Sequence, residues 1–197
     1  MLRDLGIKHG TDKGEHAFQG VSYLDIYDEY FRDSRAEVRK IVEIGVFRGS
    51  SLRMWKEYFY NATVYGIDNQ PECAKVAQDD IIIFIESQND PRIALLVPDD
   101  LDFVLDDGSH IVNLTLRSFD LLFPKLKSGG LYAIEDLNYS YHELWPPMVQ
   151  AFPELELNNS RDLLNSFLLK AIQDLDKGAG SIRSIHFYHE LCLIEKA

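Results

Sequence analysis

The middle of the chain alternates short, wholly apolar runs with stretches whose apolar residues recur at helical spacing. Segments 40–46 (KIVEIGV), 63–68 (TVYGID), 81–85 (IIIFI), 101–107 (LDFVLDD) and 129–136 (GGLYAIED) read as buried strands. Between them, 50–59 and 113–126 carry helical periodicity, and 71–78 opens on a proline, as a helix N-terminus does. Apolar strands interleaved with helices predict an α/β fold with a mostly parallel sheet, covered on both faces and joined by right-handed crossovers. Beyond this region the pattern changes. Residues 160–178 predict a helix stopped by Gly178, and 181–189 with 191–196 predict a tight antiparallel hairpin that completes a mixed seven-stranded sheet. The first 35 or so residues lie outside the alternation and predict helices. There, Tyr23, Tyr27 and Tyr30 form an i, i+4, i+7 stripe that reads as core packing.

Composition narrows this picture. The 197 residues show no repeat or linker and predict one domain, 1–197. The net charge of −12 disfavours a nucleic-acid partner. No apolar run approaches the ~20 residues of a membrane span, and the first residues lack the apolar core of a signal peptide. Cys73 and Cys192, far apart and without metal-ligand spacing, read as reduced thiols. A cytoplasmic protein without a membrane partner is the expectation, and the four Asn-x-Ser/Thr sequons are then chance. The sequence leaves a homo-oligomer open.

Candidate chemistry gathers at the predicted strand ends. The turn after the first strand, EIGVFRGSS, has the form acid-x-G-x-x-x-G, with Gly45 and Gly49 letting backbone pass close to a ligand. This is not the dinucleotide pattern G-x-G-x-x-G, and Glu43 would repel a pyrophosphate but attract an ammonium group. Asp68, ending the second strand, is placed to accept ribose hydroxyls. The pair suits S-adenosylmethionine, which carries an ammonium, a ribose and a sulfonium. Ser87 and Gln88, after the third strand, fall where an adenine edge would lie. A G-x-x-x-G turn can also be only a packing turn; Glu43 and Asp68 in register favour the cofactor reading.

The fourth strand ends in Asp106 and Asp107, and the fifth in Glu135 and Asp136. Neighbouring strands would bring Asp107, Glu135 and Asp136 together, and clustered carboxylates repel unless a cation joins them. Oxygen ligands favour Mg²⁺ or Ca²⁺. Asp106 is the acid most suited to a structural role or to facing the cofactor. His110, past a glycine and near a helix start, is placed as a general base. The cation would lower the pKa of a substrate hydroxyl, His110 would take its proton, and the oxygen would attack the sulfonium methyl. The bland alternative makes the acids helix caps and the histidine a surface residue.

These residues resemble the metal-dependent class I methyltransferases that modify sugar hydroxyls of macrolide and tetracenomycin antibiotics, the macrocin and rhamnosyl O-methyltransferase group. The resemblance rests on KHGTDKG (8–14), VEIGVFRGSSLRMWKEYF (42–59), YGID (65–68), DFVLDDGSH (102–110), LFPKLKSGGLYAIEDL (122–137) and SIHFYHELCLIEK (184–196). It implies a Rossmann-like fold and Mg²⁺-dependent transfer of a methyl group from S-adenosylmethionine to a sugar hydroxyl. It implies Asp107, Glu135 and Asp136 as metal ligands, His110 as base, and Glu43, Gly45 and Asp68 as cofactor contacts. Thr11 and Lys13 would touch the cofactor from an N-terminal lid, 1–36. Residues 138–160, with Tyr139, Tyr141, His142 and Trp145, would help form a pocket for a sugar or glycoside. Two departures stand out: Glu86-Ser87-Gln88 replaces a frequent G-D-Q, and the chain is short beside relatives with an extra N-terminal domain. Methylation of a catechol or phenol, a dinucleotide-dependent oxidoreductase and an idle cofactor-binding module are the competing readings.

Overall fold

The computed structural model describes residues 1–15, 17–144 and 146–197. Seven strands form one sheet: β3 (Lys40–Ile44), β4 (Thr63–Asp68), β5 (Ile81–Ile85), β6 (Leu101–Asp106), β7 (Leu126–Ile134), β8 (Ile182–Phe187) and β9 (Cys192–Lys196). Their order is β5-β4-β3-β6-β7-β9-β8. The first five are parallel, and β9 runs antiparallel to both β7 and β8, as the C-terminal hairpin predicts. The strand order reverses between β3 and β6, where an open parallel sheet leaves a crevice at its carboxyl edge.

Strand periodicity divides the core in two. Ile41, Phe103, Leu105, Leu131 and Ala133 face one side, where α1 (Leu2–His9), α2 (Tyr23–Phe31) and α3 (Ser50–Tyr58) cover the sheet. Val42, Ile44, Val104, Tyr132 and Ile134 face the other, packed against α5 (Val112–Leu122) and α7 (Arg161–Asp176). The N-terminal helices are therefore integral to one layer: Leu2, Tyr23 and Tyr27 are buried in the same cluster as Trp55 and Phe103. α2 starts with a capping box in which Ser22 and Asp25 satisfy each other's turn. A two-stranded ribbon, β1 (Ala17–Phe18) and β2 (Val21–Ser22), leads into it.

The departures from expectation are local. Residues 71–76 form a short 3₁₀ turn rather than a helix, because the chain turns extended at Ala77 and bridges Gln78 to Ile81 at the start of β5. α5 stops at Leu122, one residue before Phe123–Lys125 tightens into a 3₁₀ turn containing Pro124. Two short helices, α4 (Ile93–Leu96) and α6 (Pro146–Ala151), are too brief to show a period in the sequence. Among the described residues no helix is long and apolar enough to cross a membrane.

Phe103 sits at the centre of the α1–α3 face, its ring centroid 5.0 to 5.8 Å from those of Tyr27, Phe31 and Trp55. Phe103→Ala should lower the unfolding free energy by about 3–5 kcal/mol, read from the denaturant midpoint.

Candidate functional site

The same periodicity sorts the acids at the carboxyl edge. Glu43 pairs across to Leu105, and Ile44 to Asp106, so Glu43, Asp107 and Glu135 share the parity of the α1–α3 face while Asp106 takes the other. Asp106 points toward α5 and accepts hydrogen bonds from Ser118 Oγ, from Tyr132 at 3.3 Å and from the Gly108 amide at 3.3 Å. Burial pushes its carboxyl up to about 7 against the pull of those donors. It does not reach the large cavity and serves the fold of the DDGSH turn.

On the other face, a single cation answers the converging carboxylates. Lys13, carried by a 3₁₀ turn over Asp12–Gly14, is 2 % exposed. Its Nζ donates to Asp107 Oδ2 and, at 2.6 Å, to Glu135 Oε2, and lies 3.6 Å from Glu43 Oε1. Burial opposes the ammonium charge, but Asp107, Glu135 and Glu43 outweigh it and hold the lysine pKa well above its usual value. The second oxygen of Glu135 accepts the Tyr27 hydroxyl at 2.8 Å, and Asp136 Oδ1 accepts the Tyr23 hydroxyl at 3.0 Å. Glu43 is 1 % exposed and neither of its oxygens accepts a hydrogen bond among the described residues. Burial pushes its carboxyl up to about 7, Lys13 pulling the other way.

Asp107, His110 and Asp136 form a second, more open group, each offering one ligand atom within 4.8 Å of the others. His110 Nε2 is 3.7 Å from Asp136 Oδ2 and 4.0 Å from Asp107 Oδ1. Both His110 (φ 56°) and Asp136 (φ 57°) hold left-handed backbone, strain that non-glycine residues carry mostly at functional positions. The imidazole stacks on Tyr139, centroids 4.8 Å apart and planes at 26°. That tyrosine lies in a 3₁₀ turn, Leu137–Tyr141, fastened by Asn159 Nδ2 to the Tyr139 carbonyl and by Arg161 to the Leu137 carbonyl.

A cavity of about 510 Å³ adjoins this group, within the ~300–1,000 Å³ of small-molecule sites. Ile44, Gly45, Phe47, Ile67, Asp68, Asn69, Glu86, Gln88 and the Gly108–His110 turn line it, and Tyr139, Pro147, Ala151 and Phe152 close the far side. Gly45 (φ 92°) is packed on the Asp107 backbone carbonyl, where no Cβ fits. Gly49 (φ 71°) starts α3. Asp68 lines the cavity, but its Oδ2 accepts the Val46 and Phe47 amides at 2.9 and 3.1 Å and its Oδ1 the Gln70 amide at 2.9 Å. About half of its acceptor capacity thus fixes the Gly45 turn. Gln88 accepts the Ser109 amide at 2.8 Å, tying two loops together, while Ser87 turns to Asn89.

The structure therefore brings Gly45, Asp68, Gln88 and His110 to the cavity. It brings Asp107 and Asp136 to His110, and Glu43, Glu135 and Lys13 to a buried pole alongside. It does not bring Ser87, Thr11 or Asp106 to the cavity wall; Thr11 flanks a separate cleft with Arg3 and Asp12. Trp145 lies outside the described residues. Phe47 and Asn69 were not legible as lining residues, while Glu86 and Phe152 fall in stretches expected at the site without being singled out. Tyr23 and Tyr27 were legible only in part: their spacing put them on one face, and a buried phenol calls for an acceptor.

The carboxylate oxygens of Asp107 and Asp136 fit a hard divalent ion, and His110 stands beside them with its imidazole free to act as base. The buried, donor-less Glu43 fits an ammonium nearby.

No family profile matches the sequence. Curated relatives do. The chain is 32% identical over 219 residues to 8-demethyl-8-α-L-rhamnosyl tetracenomycin-C 2′-O-methyltransferase of Streptomyces olivaceus, spanning 99% of this chain and 54% of that protein. It is 37% identical over 192 residues to mycinamicin VI 2″-O-methyltransferase of Micromonospora griseorubida, spanning 86% and 47%. The solved MycE methyltransferase of the mycinamycin pathway, in complex with Mg, SAH and mycinamycin VI, superposes with a TM-score of 0.78 at 33% identity, covering 100% of this chain and 53% of that one. This chain has the class I methyltransferase fold. It spans about half the length of the curated relatives it matches. Within the methyltransferase fold, the reversed strand order sets the cavity between β3 and β6, and the antiparallel β8–β9 pair closes the far edge.

Gly45→Ala should destabilise this methyltransferase fold by more than about 1 kcal/mol, because the added methyl meets the Asp107 carbonyl and the residue must hold φ 92°. Chemical denaturation measures it.

Proposed function

We propose that the protein transfers a methyl group from S-adenosylmethionine to a hydroxyl of a sugar or glycosylated natural product, with Mg²⁺ as its resident ion. One observation carries the reading: His110, grouped with Asp107 and Asp136, lines the same cavity as Gly45 and Asp68. The likeness to sugar O-methyltransferases supports the substrate class. The free thiols of Cys73 and Cys192 support a reducing, cytoplasmic setting.

When bound, the cofactor supplies a methyl on a sulfonium, and the ion supplies charge that makes a nearby hydroxyl more acidic. The rest falls to the chain. Asp107 and Asp136 hold the ion, with Glu135 as the third acid of the set. His110 Nε2 accepts the hydroxyl proton, its ring kept in plane by the Tyr139 stack. Asp68, with Asn69 and Glu86 beside it, takes the ribose, and Glu43, buried behind the Gly45 turn and outside the cavity lining, supplies negative charge toward the cofactor ammonium. Ile67 and Phe152 give the cavity apolar wall. Residues 138–160 serve as acceptor wall, while residues 1–36, expected as a lid, pack into the core and reach the acids through Lys13, Tyr23 and Tyr27.

Three outcomes test this. Calorimetry should register binding of S-adenosylhomocysteine, lost in Asp68→Ala, where the ribose loses its acceptor and the Gly45 turn its anchor. NAD binding more tightly than S-adenosylhomocysteine would refute the cofactor. Turnover on a glycoside acceptor should vanish with EDTA and return with Mg²⁺; full turnover after exhaustive chelation would refute the ion. His110→Ala should slow kcat by ~10²–10⁴-fold with little change in cofactor affinity.

A further inference from the structure

Lys13 answers the same carboxylates that a divalent ion needs. Its ammonium touches Asp107 and Glu135 and stands 3.6 Å from Glu43. Each oxygen of Glu135 accepts one hydrogen bond, from Lys13 and from Tyr27. Lys13 Nζ bonds Asp107 Oδ2 and Glu135 Oε2 at once, so it stands between the two carboxylates that a shared ion would join. A dication between those acids would repel the Lys13 ammonium, and it attracts the acids more strongly than an ammonium does.

Among the described residues, the turn that carries Lys13 packs on α1 and α2, and its hydrogen bonds to the strand ends come from Lys13. Hydrogen bonds from the amides of Gly10, Thr11, Glu15 and Ala17 run to the last turn of α1 or within the segment itself. Asp12 and Glu15 are exposed, and glycines with left-handed backbone, Gly10 (φ 70°) and Gly20 (φ 83°), flank the stretch. Among the described residues, Lys13 is the polar link between this turn and the strand ends.

We propose that Lys13 is a tethered stand-in cation: it neutralises the strand-end acids when no divalent ion is bound, and ion binding displaces it, freeing the Thr11–Gly14 turn from the site. Loading of the ion and the position of the N-terminal turn are thereby one equilibrium. This rests on the divalent-ion reading above, which it extends by assigning that ion a regulatory consequence.

Two measurements on the full chain test it. Mg²⁺ is titrated calorimetrically into the wild type and Lys13→Gln, and amide exchange is followed in the wild type with and without Mg²⁺. Lys13→Gln should bind Mg²⁺ at least about tenfold more tightly, since the competing ammonium is gone. In the wild type, Mg²⁺ should speed exchange at residues 10–15. Equal or weaker Mg²⁺ binding by Lys13→Gln overturns the proposal and leaves the functional reading standing. So does tighter binding without faster exchange in the wild type, which would make Lys13 a fixed counter-charge. Mg²⁺ that binds neither chain overturns both. Should Lys13→Gln fail to fold, the wild-type exchange decides alone, faster exchange supporting displacement and unchanged or slower exchange contradicting it.

Discussion

The repulsion among carboxylates gathered at the ends of β3, β6 and β7 is the constraint around which the molecule is arranged. Glu43, Asp107 and Glu135 share one face because strand pairing sets their parity, and burial raises the cost of charge on Glu43 and Glu135. The fold meets that cost with a buried ammonium from Lys13 and phenol hydroxyls from Tyr23 and Tyr27. The N-terminal helices, which lie outside the alternating pattern, are what deliver these three groups. Their packing into the core beside Trp55 and Phe103 is thus also the means by which the acidic edge is kept together.

A second arrangement follows from where the backbone must approach itself. Gly45 lies against the Asp107 carbonyl, so the turns after β3 and β6 touch backbone to backbone there, and Gly108 leaves room for the side chains of Gln88 and Ile44. Asp68 then clamps the first turn through the Val46 and Phe47 amides, and Gln88 clamps the second through Ser109. The cavity is the space these clamped turns leave at the point where strand order reverses.

Much of this was legible in the sequence, because apolar runs and glycine turns report directly on buried strands. All five parallel strands and the closing hairpin stand where the pattern put them, within the usual shift at element ends. The acids Asp107 and Asp136 and the histidine between them were legible because strand ends in such a sheet converge. What the pattern could not give was set by contacts distant in sequence. Parity alone assigns Asp106 to the α5 side, but its partners Ser118 and Tyr132 emerge only when α5 is laid on the sheet. Lys13 reaches Glu135 across more than a hundred residues, a pairing no local periodicity encodes. The tyrosine stripe was read as packing; it packs, and its hydroxyls also hold the acids in place.

The central claim is that these acids and His110 make a divalent-ion site beside a cofactor cavity. A crystal structure of the protein grown with S-adenosylhomocysteine and Mn²⁺, with anomalous data, tests it most directly. The account predicts one anomalous peak within ligand distance of the Asp107 and Asp136 carboxylates, with the cofactor seated between Gly45 and Asp68. A peak elsewhere on the chain, or a cofactor bound outside that cavity, would contradict it.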